Sequence, residues 1–310
     1  MGSSRIGFGI GLPVVQQVQG KVRDWERSAG PEEIERVACA ADRLGYAHIA
    51  CSDHVIVPRT RLEAMGGPWY ESVATLAYLG GKTQRIELLT HVLVLPYHNP
   101  LALAKSLASA DLMTRGRMIV GVGSGHLKPE FKILKVPFEE RGAMTDEYIE
   151  ILKTLWESDA PEFNGKYFQF RDVVLAPRPH RKPRPPIWVG GNNRRIVRRS
   201  VEHGDGWVPW QISPEELREL MQYGQELHAR SGRKTPWQVV APFPTLDLIG
   251  RRSAGTSVAA HLAAPADIAA EIDRMRALGV ARVAVSFVHE SCSELVEQLE
   301  AFASRVAPLL

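Results

Sequence analysis

Short apolar runs of strand length alternate with helical patterns along this whole chain, and that alternation narrows the fold more than any other feature. Strands joined through helices lie parallel, because each helix crosses over the sheet and returns the chain to the same edge. The first module shows the pattern. Pro31 opens a helix in which Ile34, Val37, Ala38, Ala41 and Leu44 recur on one face, and Gly45 stops it. Ala47 to Cys51 follows, short and mostly apolar, as a strand covered on both faces should be. Near the far end, Pro265 opens a helix with Ile268, Ile272, Met275 and Leu278 on one face. Gly279 stops it, and Val283 to Val288 is the next strand.

Eight such strands can be placed: Ile6–Leu12, His48–Ser52, Ile86–Leu95, Met118–Gly123, Ile187–Gly190, Trp207–Trp210, Gln238–Ile249 and Arg282–Val288. Helix starts between them are well signed by Asn99-Pro100 and by Ser213-Pro214 with Glu216, which reads as a capping box. Eight units in 310 residues is about 39 residues each, which predicts an α/β protein with one (β/α)8 TIM barrel spanning 1–310. A doubly wound sheet competes, but Gly9-Ile10-Gly11-Leu12-Pro13 lacks the GxGxxG turn expected after its first strand. Three segments interrupt the count. Val55 to Pro68 and Arg251 to Ala264 follow strands two and seven and are expected to be lids over the site. Ser158 to Pro186 is an insertion between helix four and strand five, with a hairpin turn at Phe163 to Tyr167.

Charge argues against a nucleic-acid partner. The 38 basic and 35 acidic residues leave +3, and Arg178, Arg181, Lys182 and Arg184 alone exceed that excess. The cysteines, Cys39, Cys51 and Cys292, form no CxxC and no disulfide framework, so a reducing cytoplasm is the expected compartment. No apolar run approaches the roughly 20 residues of a membrane span, and Ile6 to Leu12 is too short and glycine-rich for a signal peptide. The expected partner is a small-molecule substrate, and the expected assembly a homodimer.

Barrel enzymes gather their catalytic groups at the C-terminal ends of the strands. Those ends offer Asp53 and His54 after strand two, His91 within strand three, Ser124 and His126 after strand four, Gly190 to Asn193 after strand five and His289 after strand eight. Any single histidine here could be a satisfied strand-end residue; four at one end point to a site. Absences narrow the chemistry further. The first strand ends in Gly11-Leu12-Pro13 rather than a His-x-His metal pair, no strand has an interior lysine, and Ser124 lacks the GxSxG context. No metal site is expected. Gly121, Gly123 and Gly125 alternate at strand four, which marks close approach of a ligand or another backbone, or a plain narrowing of the core. Gly190-Gly191 runs into a helix that starts with Asn192, Asn193, Arg194 and Arg195, where free amides beside guanidinium groups suit a phosphate; a simply capped helix with solvated arginines is the plain alternative.

An ordered set of motifs then becomes legible. Ser52-Asp53-His54, Leu95 to Pro100, Gly121 to His126, Glu130-Phe131, Val136-Pro137-Phe138, Glu140-Arg141-Gly142, Asp146-Glu147-Tyr148, Pro185 to Gly191 and Gly204 to Trp207 occur in that sequence. Together, over about residues 5–210, they resemble the luciferase-like monooxygenase superfamily, in particular its coenzyme F420-dependent oxidoreductases. The resemblance implies a barrel holding a flavin or deazaflavin ring at the strand ends. It implies that a bulge in strand three, often with a non-prolyl cis peptide, backs the ring at His91 and Val92. Asp53 and His54 match ring-side polar residues, Gly123 and Ser124 backbone contacts, and Gly190 and Gly191 the phosphate turn. Many relatives carry glutamate where this chain has His126. The expected function is hydride transfer between F420 and a small or medium-sized organic substrate, with His54 and His126 as catalytic residues. Two alternatives stand beside it: a reduced-FMN-dependent monooxygenase, and a non-catalytic flavin-binding relative.

Overall fold

The computed structural model describes residues 6–250 and 264–310. Its strands are β1 (Gly7–Gly11), β2 (His48–Cys51), β3 (Glu87–Thr90), β4 (Leu93–Val94), β5 (Met118–Gly123), β6 (Phe163–Asn164), β7 (Gln169–Phe170), β8 (Ile187–Gly190), β9 (Gly206–Val208), β10 (Gln238–Leu246) and β11 (Arg282–Phe287). Parallel pairing runs β3-β2-β1-β11-β10-β9-β8-β5, and β3 also pairs with β5, which closes the ring. With β3 and β4 as two halves of one stave, this is the expected eight-stranded (β/α)8 barrel.

The register explains the two apolar layers. Ala50, Leu89, Ile119, Trp188, Val208 and Val240 form one buried cluster inside the barrel. Their neighbours in sequence, Ile49, Leu88, Val120, Ile187, Trp207 and Val239, join the larger core between strands and helices. Fully burying one such side chain stabilises the fold by about 1.5–3 kcal/mol. Below the inner cluster, the Arg282 guanidinium lies 5.0 Å over Trp188 and pairs with Glu87 at 2.6 Å.

Carboxylates tie helix ends to strand entries at the other end of the barrel. Helix Pro31–Arg43 buries Ile34, Val37, Ala38 and Ala41 as its spacing predicts. At its end, Asp42 accepts from the amides of Gln84, Arg85 and Ile86 at 2.8, 2.9 and 2.7 Å, which sets the entry to β3. Burial alone would raise the Asp42 pKa, but these amides hold it below the usual carboxylate range. Asp205 does the same for β8, accepting from the Ile187 amide at 2.8 Å while Arg184 pairs with it at 2.5 Å.

The third expected strand, Ile86–Leu95, is broken. Leu88 and Leu89 stand opposite Met118 and Ile119, whereas Leu93 and Val94 stand opposite Val122 and Gly123. Four steps on one strand match three on the other, so one extra residue makes a bulge. The His91–Val92 peptide within it is cis. The bulge also answers the glycine question. A Cβ on Gly121 would lie 1.9 Å from the Thr90 carbonyl oxygen, one on Gly123 2.8 Å from Val92, and one on Gly125 2.6 Å from Val94. The approaching group is therefore the neighbouring strand. A Cβ on Gly190 would likewise meet Val92 at 2.8 Å, so this one side chain fills the space two glycines leave.

Other boundaries shift modestly. Strand six ends at Val208 with Trp210 beyond it, and strand seven ends at Leu246. The expected hairpin is present as the antiparallel pair β6 and β7. Glu147 pins its turn by accepting from the amides of Lys166, Tyr167 and Phe168 at 2.7, 2.9 and 2.9 Å. The segment Val55 to Pro68 contains short helical turns at Arg59–Arg61 and Leu62–Met65. Of the second expected lid, 251–264, all but Ala264 lies outside the described residues.

Candidate active site

His54, one residue beyond the adjacent Asp53 at the end of β2, places its Nδ1 2.6 Å from an oxygen of Glu130. Glu130 belongs to the six-residue helix Lys128–Ile133 that follows β5, and its side chain is fully buried. The other carboxylate oxygen accepts from the amides of Val55 and Ile56 at 3.0 and 3.2 Å. One buried carboxylate thus holds both the imidazole and the start of the 55–68 segment. Burial pushes the Glu130 pKa up, but His54 and the Ile56 amide outweigh it and bring it below the ordinary value. Trp69 packs edge-on against the His54 ring at 4.5 Å, and its buried indole nitrogen has no partner among the described residues.

Asp53 turns the other way, as neighbours in an extended chain do. It is buried, and its carboxylate lies 3.1 Å from Nε2 of His98, so it does not orient His54. His126 is more exposed; partial burial and then His54 lower its pKa against the pull of Glu130. His91 sits in the bulge, and burial lowers its pKa to about 4. His289 follows β11 and accepts at Nδ1 from the Trp25 indole at 3.0 Å. Burial, then Arg23, brings its pKa to about 4.

The turn after β8 departs from expectation in detail. The Gly191 amide donates to the Val208 carbonyl at 3.2 Å, so it is committed to the sheet rather than open to a phosphate. Asn192 clamps the backbone of Trp210, accepting from its amide at 2.8 Å and donating to its carbonyl. Asn193 caps helix Arg194–Glu202 by accepting from the Ile196 amide at 3.0 Å. What this turn keeps for an anion is the run of backbone amides at Asn192, Asn193, Arg194 and Arg195, which have no hydrogen-bond partner among the described residues. Sequence reasoning also missed Arg199. It is buried, pairs with Asp146, and donates from Nη1 to the Ser124 hydroxyl at 3.2 Å, joining this helix to the end of β5.

A deazaflavin or flavin fits these residues. The bulge at His91 and Val92 is present where the resemblance sets the ring, and the first-turn amides beside the exposed Arg195 suit a phosphate. The orphaned Trp69 indole adds an unmet donor beside His54. Among the described residues, no His, Cys, Asp and Glu group could hold a metal, and no helix is long and apolar enough to cross a membrane.

Neutral burial of histidine has a measurable consequence. His91 and His289 protonate near about 4 in the fold but near 6.5 when unfolded, so the unfolded chain binds more protons between those values. Stability contributed above pH 6.5 should therefore be lost as pH falls toward 4, by up to about 3 kcal/mol for each residue. Urea midpoints measured from pH 7 to pH 4.5 check this. A flat profile in that range would overturn the assignment of neutral imidazoles, and His289→Asn should flatten the profile in part.

Residues 8–246 match the luciferase-like monooxygenase family, and the chain belongs to that family of barrel enzymes. Among individual relatives, it is 28% identical over 183 residues to an F420-dependent glucose-6-phosphate dehydrogenase of Amycolatopsis mediterranei, a match covering 58% of this chain and 53% of that one. It is 36% identical over 128 residues to an FMNH(2)-dependent dimethylsulfone monooxygenase of Pseudomonas putida, covering 40% and 35% respectively. The chain thus spans about half, or less, of the length of these two relatives. The solved structure of the monooxygenase RslO1 from Streptomyces bottropensis superposes with a TM-score of 0.80 over 98% of this chain and 99% of that one, at 23% identity, and supports the fold. Relatives of both coenzyme types are therefore present within an enzyme family of oxidoreductases and monooxygenases.

Proposed function

We propose that this protein is an F420-dependent oxidoreductase that moves a hydride between the deazaflavin and a small or medium-sized organic substrate. The observation that carries the reading is the 2.6 Å contact of His54 with buried Glu130. An ionised carboxylate only accepts hydrogen bonds, so it draws the proton to Nδ1 and leaves Nε2 as a bare lone pair. That is the arrangement a base needs to take the hydroxyl proton of an alcohol being oxidised, and Glu130 stabilises the imidazolium that results. When bound, F420 supplies a two-electron hydride acceptor or donor. Arg194 and Arg195 offer their amides to its phosphate, and Arg199 steadies Ser124. His126, exposed beside His54, is placed to relay the proton to solvent.

A reduced-FMN-dependent monooxygenase is the second reading, favoured by the 36% identity to a monooxygenase that uses FMNH(2). Fluorescence titration of the purified chain with F420, and with FMN under reducing conditions, separates the two. Binding of F420 at micromolar concentration or tighter, on the order of 8 kcal/mol, with weaker FMN binding, is expected. Tighter FMN binding would move the chain to the monooxygenase reading. We place the enzyme in the cytoplasm, where its three free cysteines stay reduced, and as a homodimer, which sedimentation analysis would check.

A further inference from the structure

His289 has no part in the chemistry assigned to His54, yet its surroundings are built. It stands just past β11, two staves round the ring from His54 at the end of β2. The Trp25 indole nitrogen lies 3.0 Å from its Nδ1, and the two rings meet edge to face at 5.6 Å. An indole N–H only donates, so Nδ1 must be bare, and in the neutral ring the proton sits on Nε2. His54 is the opposite case, with the proton held on Nδ1 by Glu130 and Nε2 bare.

The segment after β1 is organised to present that indole. Trp25 belongs to the 3-10 turn Asp24–Arg27. Buried Glu26 fixes the turn by accepting from the amides of Val14 and Arg23 at 2.8 and 3.1 Å, and Gln17 donates to the Glu26 carbonyl at 3.2 Å.

We propose that Trp25 locks His289 as an uncharged hydrogen-bond donor through Nε2 at neutral pH, so that the barrel mouth carries one fixed donor, His289, and one fixed acceptor, His54, for an uncharged, oxygen-bearing substrate. Protonating His289 would require Nδ1 to give up the indole, and burial together with the positive charge of Arg23 opposes the added proton. Neighbouring strands lie about 4.8 Å apart, so two intervals set the strand ends that carry the two rings roughly 10 Å apart. The inference rests on the oxidoreductase reading for its use, but not for its test.

Nitrogen-15 NMR of the full chain, labelled at histidine, reads each tautomer directly, with signals assigned by His289→Gln and His54→Gln. From pH 8 to pH 5, His289 should show a bare Nδ1 and a protonated Nε2, whereas His54 at pH 8 should show the reverse tautomer. Trp25→Phe should release His289 into a mixture of both tautomers and raise the pH at which it protonates. Cyclohexanone, an uncharged oxygen acceptor used as the probe, should shift the His289 Nε2 signal. A wild-type His289 that is protonated at Nδ1, or cationic at pH 6, overturns the lock whether or not the Trp25 variant folds. A probe that leaves Nε2 unmoved overturns the donor role. Neither measurement involves a coenzyme, so failure here is distinct from failure of the F420 titration.

Discussion

Replacing His54 with alanine should lower turnover about 10²–10⁴-fold while leaving affinity for the coenzyme within a few fold. The asymmetry follows from where the residue stands. Its ring is held between Trp69 and Glu130 at the end of β2, with one nitrogen bound to the carboxylate and the other without a hydrogen-bond partner among the described residues. The proposed phosphate contacts lie elsewhere, at the start of helix Arg194–Glu202. Loss of the imidazole removes the proton acceptor without touching them. Single-turnover absorbance at the deazaflavin band, run alongside the binding titration, checks both halves. If the variant binds normally and turns over near the wild-type rate, water is the proton acceptor and His54 merely shapes the pocket. The same assay on His126→Ala should show the smaller loss of a relay.

Glu130→Gln should be almost as damaging, though the side chain is fully buried behind His54. A glutamine fits the same buried space, and its carbonyl oxygen still accepts from the Val55 and Ile56 amides. Its amide nitrogen then faces His54, and an N–H donor there demands a bare Nδ1. The proton moves to Nε2 and the ring loses its free lone pair. A loss of turnover on the order of 10²–10⁴-fold is expected, with little change in stability, as for a histidine held in the wrong tautomer. Glu130→Ala removes every one of these contacts and should also destabilise the fold by about 3 kcal/mol, because buried amides and an imidazole lose a charged acceptor. Steady-state rates with urea midpoints distinguish the two variants. A Gln variant at the wild-type rate would show that the carboxylate acts only as a structural tie. The depressed pKa of Glu130 has a pH signature of its own: its stabilisation is present above the ordinary carboxyl value, about 4.3, and is lost as pH falls through the folded value.

The barrel itself was legible from residue order. Helix faces such as Ile34, Val37, Ala38 and Ala41 and the apolar runs between them are local properties, each decided within one segment. The caps at Asn99 and Ser213 are local too, since donor and acceptor lie within three residues. Strand-end histidines could be located because barrel topology sends every C-terminal strand end to one mouth. The break at His91 and Val92 was expected from the resemblance, not from periodicity, because a bulge leaves the apolar content of a run unchanged.

Partners distant in sequence were decided only when the ring closed. Glu130 lies 76 residues from His54; the chain shows a charge beside Phe131 on a short helix, and nothing nearby says which side chain it serves. Trp25 and His289 are 264 residues apart and meet because β1 and β11 are adjacent staves. Gly191 looked free for a phosphate until β9 took its amide, and the glycines of β5 turned out to accommodate a neighbouring strand. Local periodicity determines which segments become strands and helices, whereas hydrogen-bond partners across the barrel depend on register and closure, which no single segment contains.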